Sequence, residues 1–265
     1  MTQPRKRQRK EVVIALAPIF RPHQFGTEQK AELDREGHFV LPNILTTFAC
    51  EQLTKSLSHI ESLIPSAVQG HEPNRFAAEY DEYLESLIAH PQMLELARNI
   101  LGADIRYDHC VTLNRPGGNQ GVHWHSHGYS EDDPNLGFIR IFFYVNGFDV
   151  DDGGLKAVPG SHLYRDPKIN AATDEELRKD WMAGKMHPVT NEPLEIQELS
   201  VPVGTVVVMW THAAHSVSAR RQTSDTRWTV VYAYRNPGRP SAARWLSDAF
   251  ERKPIPGAEG LMSLY

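Results

Sequence analysis

Histidines cluster in two places along the chain. His123, His125 and His127 occupy every second position of GVHWHSHGYSEDD. Side chains on a strand repeat every two residues, so the three imidazoles can share one face. Imidazole is the commonest side-chain metal ligand, and two at this spacing can chelate one ion. The other reading of the triplet is a polar strand that happens to be rich in histidine. A second cluster weighs towards metal, because His212 and His215 follow the apolar run TVVVMW. After the turn-like QTSD, Arg227 opens a further strand. A histidine pair and a distant strand-end histidine are how a jelly roll assembles a metal site in its mouth. A guanidinium fork grips carboxylates in bidentate fashion, so metal plus Arg227 suits a small dicarboxylate or oxoacid.

Such groups need a scaffold, and the chain reads in two parts. Residues up to about 101 are mainly helical. GTEQKAELDREG carries a cap signal at Thr27 and ends at Gly37. HFVLPNIL is a short apolar segment closed by a turn, and TTFACEQLTKSLSHIESLI places Leu53, Leu57, Ile60 and Leu63 at helical spacing. AAEYDEYLESLIAHPQMLELARNILG reads as two helices broken near Pro91. From Ala103 the pattern changes to β-branched and aromatic runs bounded by Gly, Pro, Asn or Asp. IRYDHCVTLN stops at the turn RPGG; FIRIFFYVNG, LKAVPG, EIQELSVP, TVVVMWTH and RWTVVYAYRN follow, with one inserted helix in TDEELRKDWMAGK. About eight strands with varied loops predict a mainly β fold with flanking helices and a jelly roll rather than a simple meander.

With 265 residues, 40% of them hydrophobic, the chain has ample length for one large core. Residues 1–14 read as a basic solvated tail rather than an export signal, and 15–265 as one domain, helical over about 27–101 and jelly-roll over about 103–236. No apolar run reaches the roughly 18 to 20 residues that span a bilayer. A net charge of −5 argues against a nucleic-acid surface. Cys50 and Cys110 make no disulfide framework, and a reducing cytoplasm is the expected compartment.

Three segments together resemble the phytanoyl-CoA dioxygenase family: RPGGNQGVHWHSHGY, VNGFDVDDGGLKAVPGSHL and VVVMWTHAAHSVSARRQTSDTRWTVVYAYR. REGHFVLPNIL and HPQMLELARNILGADIR are similar to that family's N-terminal segments, so the likeness runs from about Glu36 to Arg235. GGLKAVPGSH is its most specific piece. The resemblance implies a double-stranded β-helix of the cupin-like type, an Fe(II) centre, 2-oxoglutarate as cosubstrate, and oxygenation of a small organic molecule by O2. His125 matches the first metal histidine and His215 the distal one. Arg227 matches the arginine that grips the far carboxylate of 2-oxoglutarate, one residue further from its histidine than is usual in the family. Arg220 and Arg221 are the alternatives, although neither opens a strand. Asn114 matches a position that contacts 2-oxoglutarate in some members.

The chain departs from the family at one position. Where the family has His-x-Asp, it reads His125-Ser126-His127. The usual iron site presents two histidines and one carboxylate on one face. Three arrangements are open: His127 ligates in place of the carboxylate, His127 stands aside, or Glu131, Asp132 or Asp133 folds back to supply an oxygen. The unchanged spacing favours the first. His123 is a neighbour of the site or substrate-facing; Tyr129, Arg140, Trp210 and Trp124 flank the expected mouth and are candidates for a substrate pocket. His162 and His212 read as fold residues, and His109 and Cys110 lie on a strand where Cys110 is core. A zinc-dependent hydrolase or lyase, and a non-catalytic metal- or ligand-binding member, are the rival functions.

Overall fold

Capping chemistry sets the helical part. The computed structural model describes residues 17–67, 70–128, 133, 135–241 and 244–265; the basic tail lies outside them. Helix α1 (Thr27–Glu36) is capped by Gly26, whose N–H donates to Gln29 Oε1 at 2.9 Å. Thr27, expected to cap it, falls within the first turn because the extended Gly26 takes the boundary position. The helix ends at Gly37, whose φ of 89° is the left-handed conformation that favours glycine. Strand β1 (His38–Leu41) leads to α2 (Thr47–Leu63), where Thr46 Oγ1 accepts from the Ala49 N–H at 3.1 Å. Leu53, Leu57 and Ile60 are buried as their spacing predicts.

The next stretch forms three helices rather than two: α3 (Ala77–Tyr80), α4 (Glu82–Leu87) and α5 (Pro91–Leu101). Asp81 makes the extra break. Its carboxylate accepts from the Leu84 N–H at 2.9 Å and starts a new helix there. Pro91 occupies the first turn of α5, where a missing N–H costs little.

Among the described residues nine strands follow: β2 (Arg106–Thr112), β3 (Val122–His125), β4 (Phe138–Tyr144), β5 (Leu155–Ala157), β6 (Asn170–Ala171), β7 (Gln197–Glu198), β8 (Thr205–Trp210), β9 (His215–Val217) and β10 (Thr229–Arg235). Helix α6 (Asp174–Lys179) lies between β6 and β7, and α7 (Asp248–Glu251) follows β10. The strands form two five-stranded sheets, in the orders β1-β8-β4-β10-β2 and β6-β3-β9-β5-β7, with every pair antiparallel. Neighbours that are not consecutive in sequence mark the crossings of a double-stranded β-helix.

Alternation on each strand decides what faces the barrel. On β4, Ile139, Ile141 and Phe143 pack outward with the helices, whereas Phe142 and Tyr144 join Val207, Met209 and Val231 between the sheets. A one-residue slip would exchange these sets, so burial on both faces fixes the register. The same alternation moves two tryptophans away from the mouth. Trp124 packs on the far side of the second sheet with Leu177 of α6, and its indole N–H donates to Asp174 at 2.8 Å. Trp210 packs against the helix-side core and donates to Asp34 of α1 at 3.1 Å.

Candidate metal centre

Strands β3 and β9 bring His125 directly opposite His215. On the other side of β9, Ala157 of β5 pairs with His215. The GGLKAVPGSH segment therefore builds the strand that holds the distal histidine. It adds two fixings: the Ala214 N–H donates to Ser161 Oγ at 2.8 Å, and the Val158 N–H to the Ala214 carbonyl at 3.0 Å. His127 lies two residues beyond the end of β3, so it reaches the pair from a loop rather than from the strand face. Its N–H donates to the Thr211 carbonyl at 3.2 Å, which ties that loop to the turn after β8.

The three rings converge. Their centroids are 4.2 Å apart for His125 and His215, 4.8 Å for His125 and His127, and 5.3 Å for His127 and His215. One ring nitrogen from each lies within 4.8 Å of the others. Nδ1 of His125 bonds to the His123 carbonyl and Nδ1 of His215 to the Ala213 carbonyl, both at 2.9 Å. A carbonyl only accepts, so each Nδ1 carries the proton and each Nε2 keeps its lone pair, as a metal ligand requires. Burial pulls all three imidazoles below their ordinary range, His127 and His215 furthest, and the charge of Arg140 adds to this. The rings are neutral and ready to coordinate.

His127 differs in one respect. Its Nε2 lies 2.7 Å from Nη1 of Arg140, which projects from β4. A guanidinium only donates, so this lone pair is engaged, and coordination through His127 Nε2 competes with that bond. No carboxylate joins the cluster among the described residues. Asp133 is exposed and accepts from the Asn135 N–H at 3.1 Å; Glu131, Asp132 and Tyr129 lie outside the described residues.

Arg227 is 1% exposed and sits just before β10, in an antiparallel bridge with Arg115. Its Nη1 donates to the Gly153 carbonyl, and its guanidinium lies 5.3 Å from the Tyr144 ring centre and 5.5 Å from that of Phe148. Gly153 has a φ of 78°, and an added Cβ would meet Arg220 and Arg227. Burial lowers the Arg227 pKa to about 10, yet Nε has no partner among the described residues. A buried cation with an unspent donor fits a bound carboxylate. Arg220 and Arg221 are instead committed to Asp152 at 3.2 Å and Asp151 at 2.5 Å. Arg115, which the RPGG turn signal concealed, is a further, half-buried cation; its charge acts on both His125 and Arg227.

The other expected residues divide. His123 is exposed and contributes its carbonyl to His125. The Asn114 amide is spent on α2, with Glu61 at 3.2 Å, and its oxygen accepts from the Thr229 N–H at 3.4 Å. His162 pins α1 through the Asp34 carbonyl at 2.9 Å. His212 and Trp210 line a cleft of about 360 Å³ with Arg165 and Phe138. Cys110 is core, as expected.

This geometry defines a double-stranded β-helix protein with clustered neutral imidazoles and a buried arginine. The chain belongs to the phytanoyl-CoA dioxygenase (PhyH) family, whose model matches residues 33–228. It is similar to a probable alpha-ketoglutarate-dependent hypophosphite dioxygenase of Stutzerimonas stutzeri, with 22% identity over 157 residues. That alignment takes in 57% of this chain and 53% of the relative, so the chain spans about half the relative's length. Among solved structures, the non-heme alpha ketoglutarate dependent carbocyclase SnoK of nogalamycin biosynthesis superposes with a TM-score of 0.60 at 16% identity, covering 82% of this chain and 88% of that one. HygX of Streptomyces hygroscopicus, with nickel and 2-oxoglutarate bound, gives 0.59 at 15%, covering 82% and 89%. At these identities the structural matches establish the fold.

Proposed function

We propose that the protein is a non-haem Fe(II), 2-oxoglutarate-dependent oxygenase acting on a small organic molecule. The observation that carries this is the convergence of His125, His127 and His215 in a fold that also buries Arg227 with an unspent donor. Family membership and the names of the similar proteins support it. His125 and His215 would hold the metal through Nε2, and His127 would complete the set once Arg140 gives way. Arg227 would take the far carboxylate of 2-oxoglutarate. Bound Fe(II) and 2-oxoglutarate would together supply the activation of O2.

The residues of the chain do the rest. The His123 and Ala213 carbonyls fix the tautomers of the two opposed histidines. Tyr144 and Phe148 screen the Arg227 guanidinium from water and so strengthen its grip on a carboxylate. Three neutral ligands leave the full 2+ charge on a metal, which favours a dianionic oxoacid over a neutral ligand.

A zinc-dependent hydrolase or lyase is the second reading, favoured by a cluster of three imidazoles with no carboxylate among the described residues. Buried Arg227 weighs against it, since a hydrolytic water needs no dicarboxylate clamp. The expected partners are the small substrate and O2, with neither nucleic acid nor membrane. No described helix is long and apolar enough to cross a membrane. Both cysteines are free, which suits a cytoplasmic setting. The test is to supply Fe(II), 2-oxoglutarate and O2 and measure succinate. Succinate formed only with all three is the expected result; none under any metal loading would overturn the proposal.

A further inference from the structure

The inner face of the first sheet carries a polar pair that the proposed metal centre does not use. Asp108 and His109 are adjacent on β2, and both are 0% exposed. Neighbours on a strand normally face opposite ways. Here a bulge intervenes: Ala233 pairs with His109 and Tyr234 with Tyr107, which leaves Asp108 as the extra residue. Tyr107 and Cys110 belong to the helix-side core and Val111 to the core between the sheets. The bulge thus turns Asp108 and His109 inward together, and bulges of this kind re-aim side chains next to functional sites.

The pair is held from several sides. Nδ1 of His109 bonds to Asp108 Oδ1 at 2.7 Å, Ser241 Oγ donates to the same oxygen at 2.9 Å, and Arg235 lies 3.5 Å from Oδ2. Burial alone would raise the Asp108 pKa; the hydrogen bonds from His109 and Ser241 and the charge of Arg235 bring it below the ordinary range. The carboxylate is therefore ionised and accepts the proton on Nδ1. Arg235 already balances its charge, so a second proton on His109 would leave an uncompensated buried cation facing Arg140. Burial, outweighing the bond to Asp108, lowers the His109 pKa accordingly. His109 is neutral, and its Nε2 is a lone pair.

That lone pair has no partner among the described residues. Across the sheet, Arg140 pairs with Ala233 and Ala233 with His109, so His109 and Arg140 lie in one row with a small residue between them. Arg140 in turn touches His127. Phe138 and Trp245 flank the His109 ring, with centroids at 6.4 and 5.6 Å. An acceptor, a cation and two aromatic faces thus line the side of the barrel next to the histidine cluster.

We propose that His109 Nε2 and Arg140 form the substrate-recognition wall, and that the substrate is a small acid carrying a hydroxyl group that donates to His109. A hydroxyl is favoured over an ammonium group because Arg140 and Arg244 already bring positive charge to His109. The proposal rests on the reading of the barrel as the reaction chamber.

The test uses the full chain with labelled histidines, freed of metal by a chelator so that no ion at the cluster binds the probes. The probes are glycolate and acetate, which differ by one hydroxyl. The ¹⁵N resonance of His109 Nε2, assigned by its loss in His109→Leu, should lie in the range of an unprotonated nitrogen and move on adding glycolate. Glycolate should bind roughly three- to tenfold more tightly than acetate, the range for one added hydrogen bond. His109→Leu should bind the two alike. A protonated Nε2, equal affinities in the parent, or no shift with glycolate overturns the proposal. If His109→Leu does not fold, the probe preference of the parent and the tautomer and response of its histidine resonances decide alone. Neither iron nor 2-oxoglutarate enters, so this test can fail while succinate forms, or succeed while none does.

Discussion

Replacing Arg227 with lysine keeps the positive charge and removes the planar fork. In the structure the guanidinium is shared between the Gly153 carbonyl and the faces of Tyr144 and Phe148, with Nε left over. Its pKa of about 10 keeps it charged at neutral pH despite burial. Lysine has no second prong to reach a carboxylate while holding Gly153, so Arg227→Lys loses about one charge-assisted hydrogen bond. Such a bond contributes about 1.5 to 3 kcal/mol. At 1.4 kcal/mol per decade, 2-oxoglutarate affinity should weaken roughly 10- to 150-fold. Calorimetric titration of 2-oxoglutarate into the anaerobic Fe(II) protein measures this, with thermal melts to show that the variant is folded. Arg220→Ala is the control, because Arg220 is occupied by Asp152. An unchanged affinity in Arg227→Lys together with a large loss in Arg220→Ala would refute the assignment.

Further outcomes follow from the same geometry. His125→Ala and His215→Ala should each lower Fe(II) affinity on the order of tenfold or more, read as iron retained after gel filtration; full retention in both would remove the site. His127→Ala should weaken metal binding, whereas His127→Asp should keep the metal and match or exceed the parent's succinate yield. In a metal-bound crystal structure a His127 nitrogen should lie about 2.0 to 2.2 Å from the ion; a metal coordinated without it would limit the set to two histidines. Arg140→Met frees the His127 lone pair, so Fe(II) affinity should rise about tenfold, the equivalent of one lost competing hydrogen bond; a fall would mean that Arg140 supports the ion rather than competing with it. Burial lowers the pKa of both His162 and His212 to about 4. Between pH 6.5, the ordinary histidine value, and about 4, the unfolded chain binds more protons than the native one, so stability rises with pH there and is lost on acidification. The two together contribute a few kcal/mol; a urea midpoint that stays flat across that window would contradict it.

The sequence was most legible where patterns repeat. Continuous β-branched and aromatic runs in FIRIFFYVNG and TVVVMWTH, and the punctuation of GGLKAVPGSH, marked β4, β8 and β5; His215, expected at the end of the second run, instead opens β9, because a short turn after Trp210 starts a new strand. Less legible was anything set by a neighbour. Asp81 splits a helix by a local cap that a hydrophobic period does not register. Trp124 and Trp210 sit beside the candidate residues in sequence but on the opposite strand faces. Asn114 matched a family position, yet its amide is taken by α2. The engagement of His127 by Arg140 depends on a contact across the barrel. His109 was placed on its strand by sequence, but its inward pairing with Asp108 was not legible, because a bulge breaks the alternation there; two adjacent polar residues inside the strand were the available signal.

If the barrel mouth holds Fe(II) and 2-oxoglutarate together, the visible spectrum of the anaerobic complex reports it. Adding 2-oxoglutarate to the Fe(II)-loaded protein should produce a metal-to-ligand charge-transfer band. The band should be absent without 2-oxoglutarate, lost in His215→Ala, and discharged on admitting O2. Tight Fe(II) binding with no band at saturating 2-oxoglutarate would contradict the account, because the oxoacid would then not be a ligand of the metal.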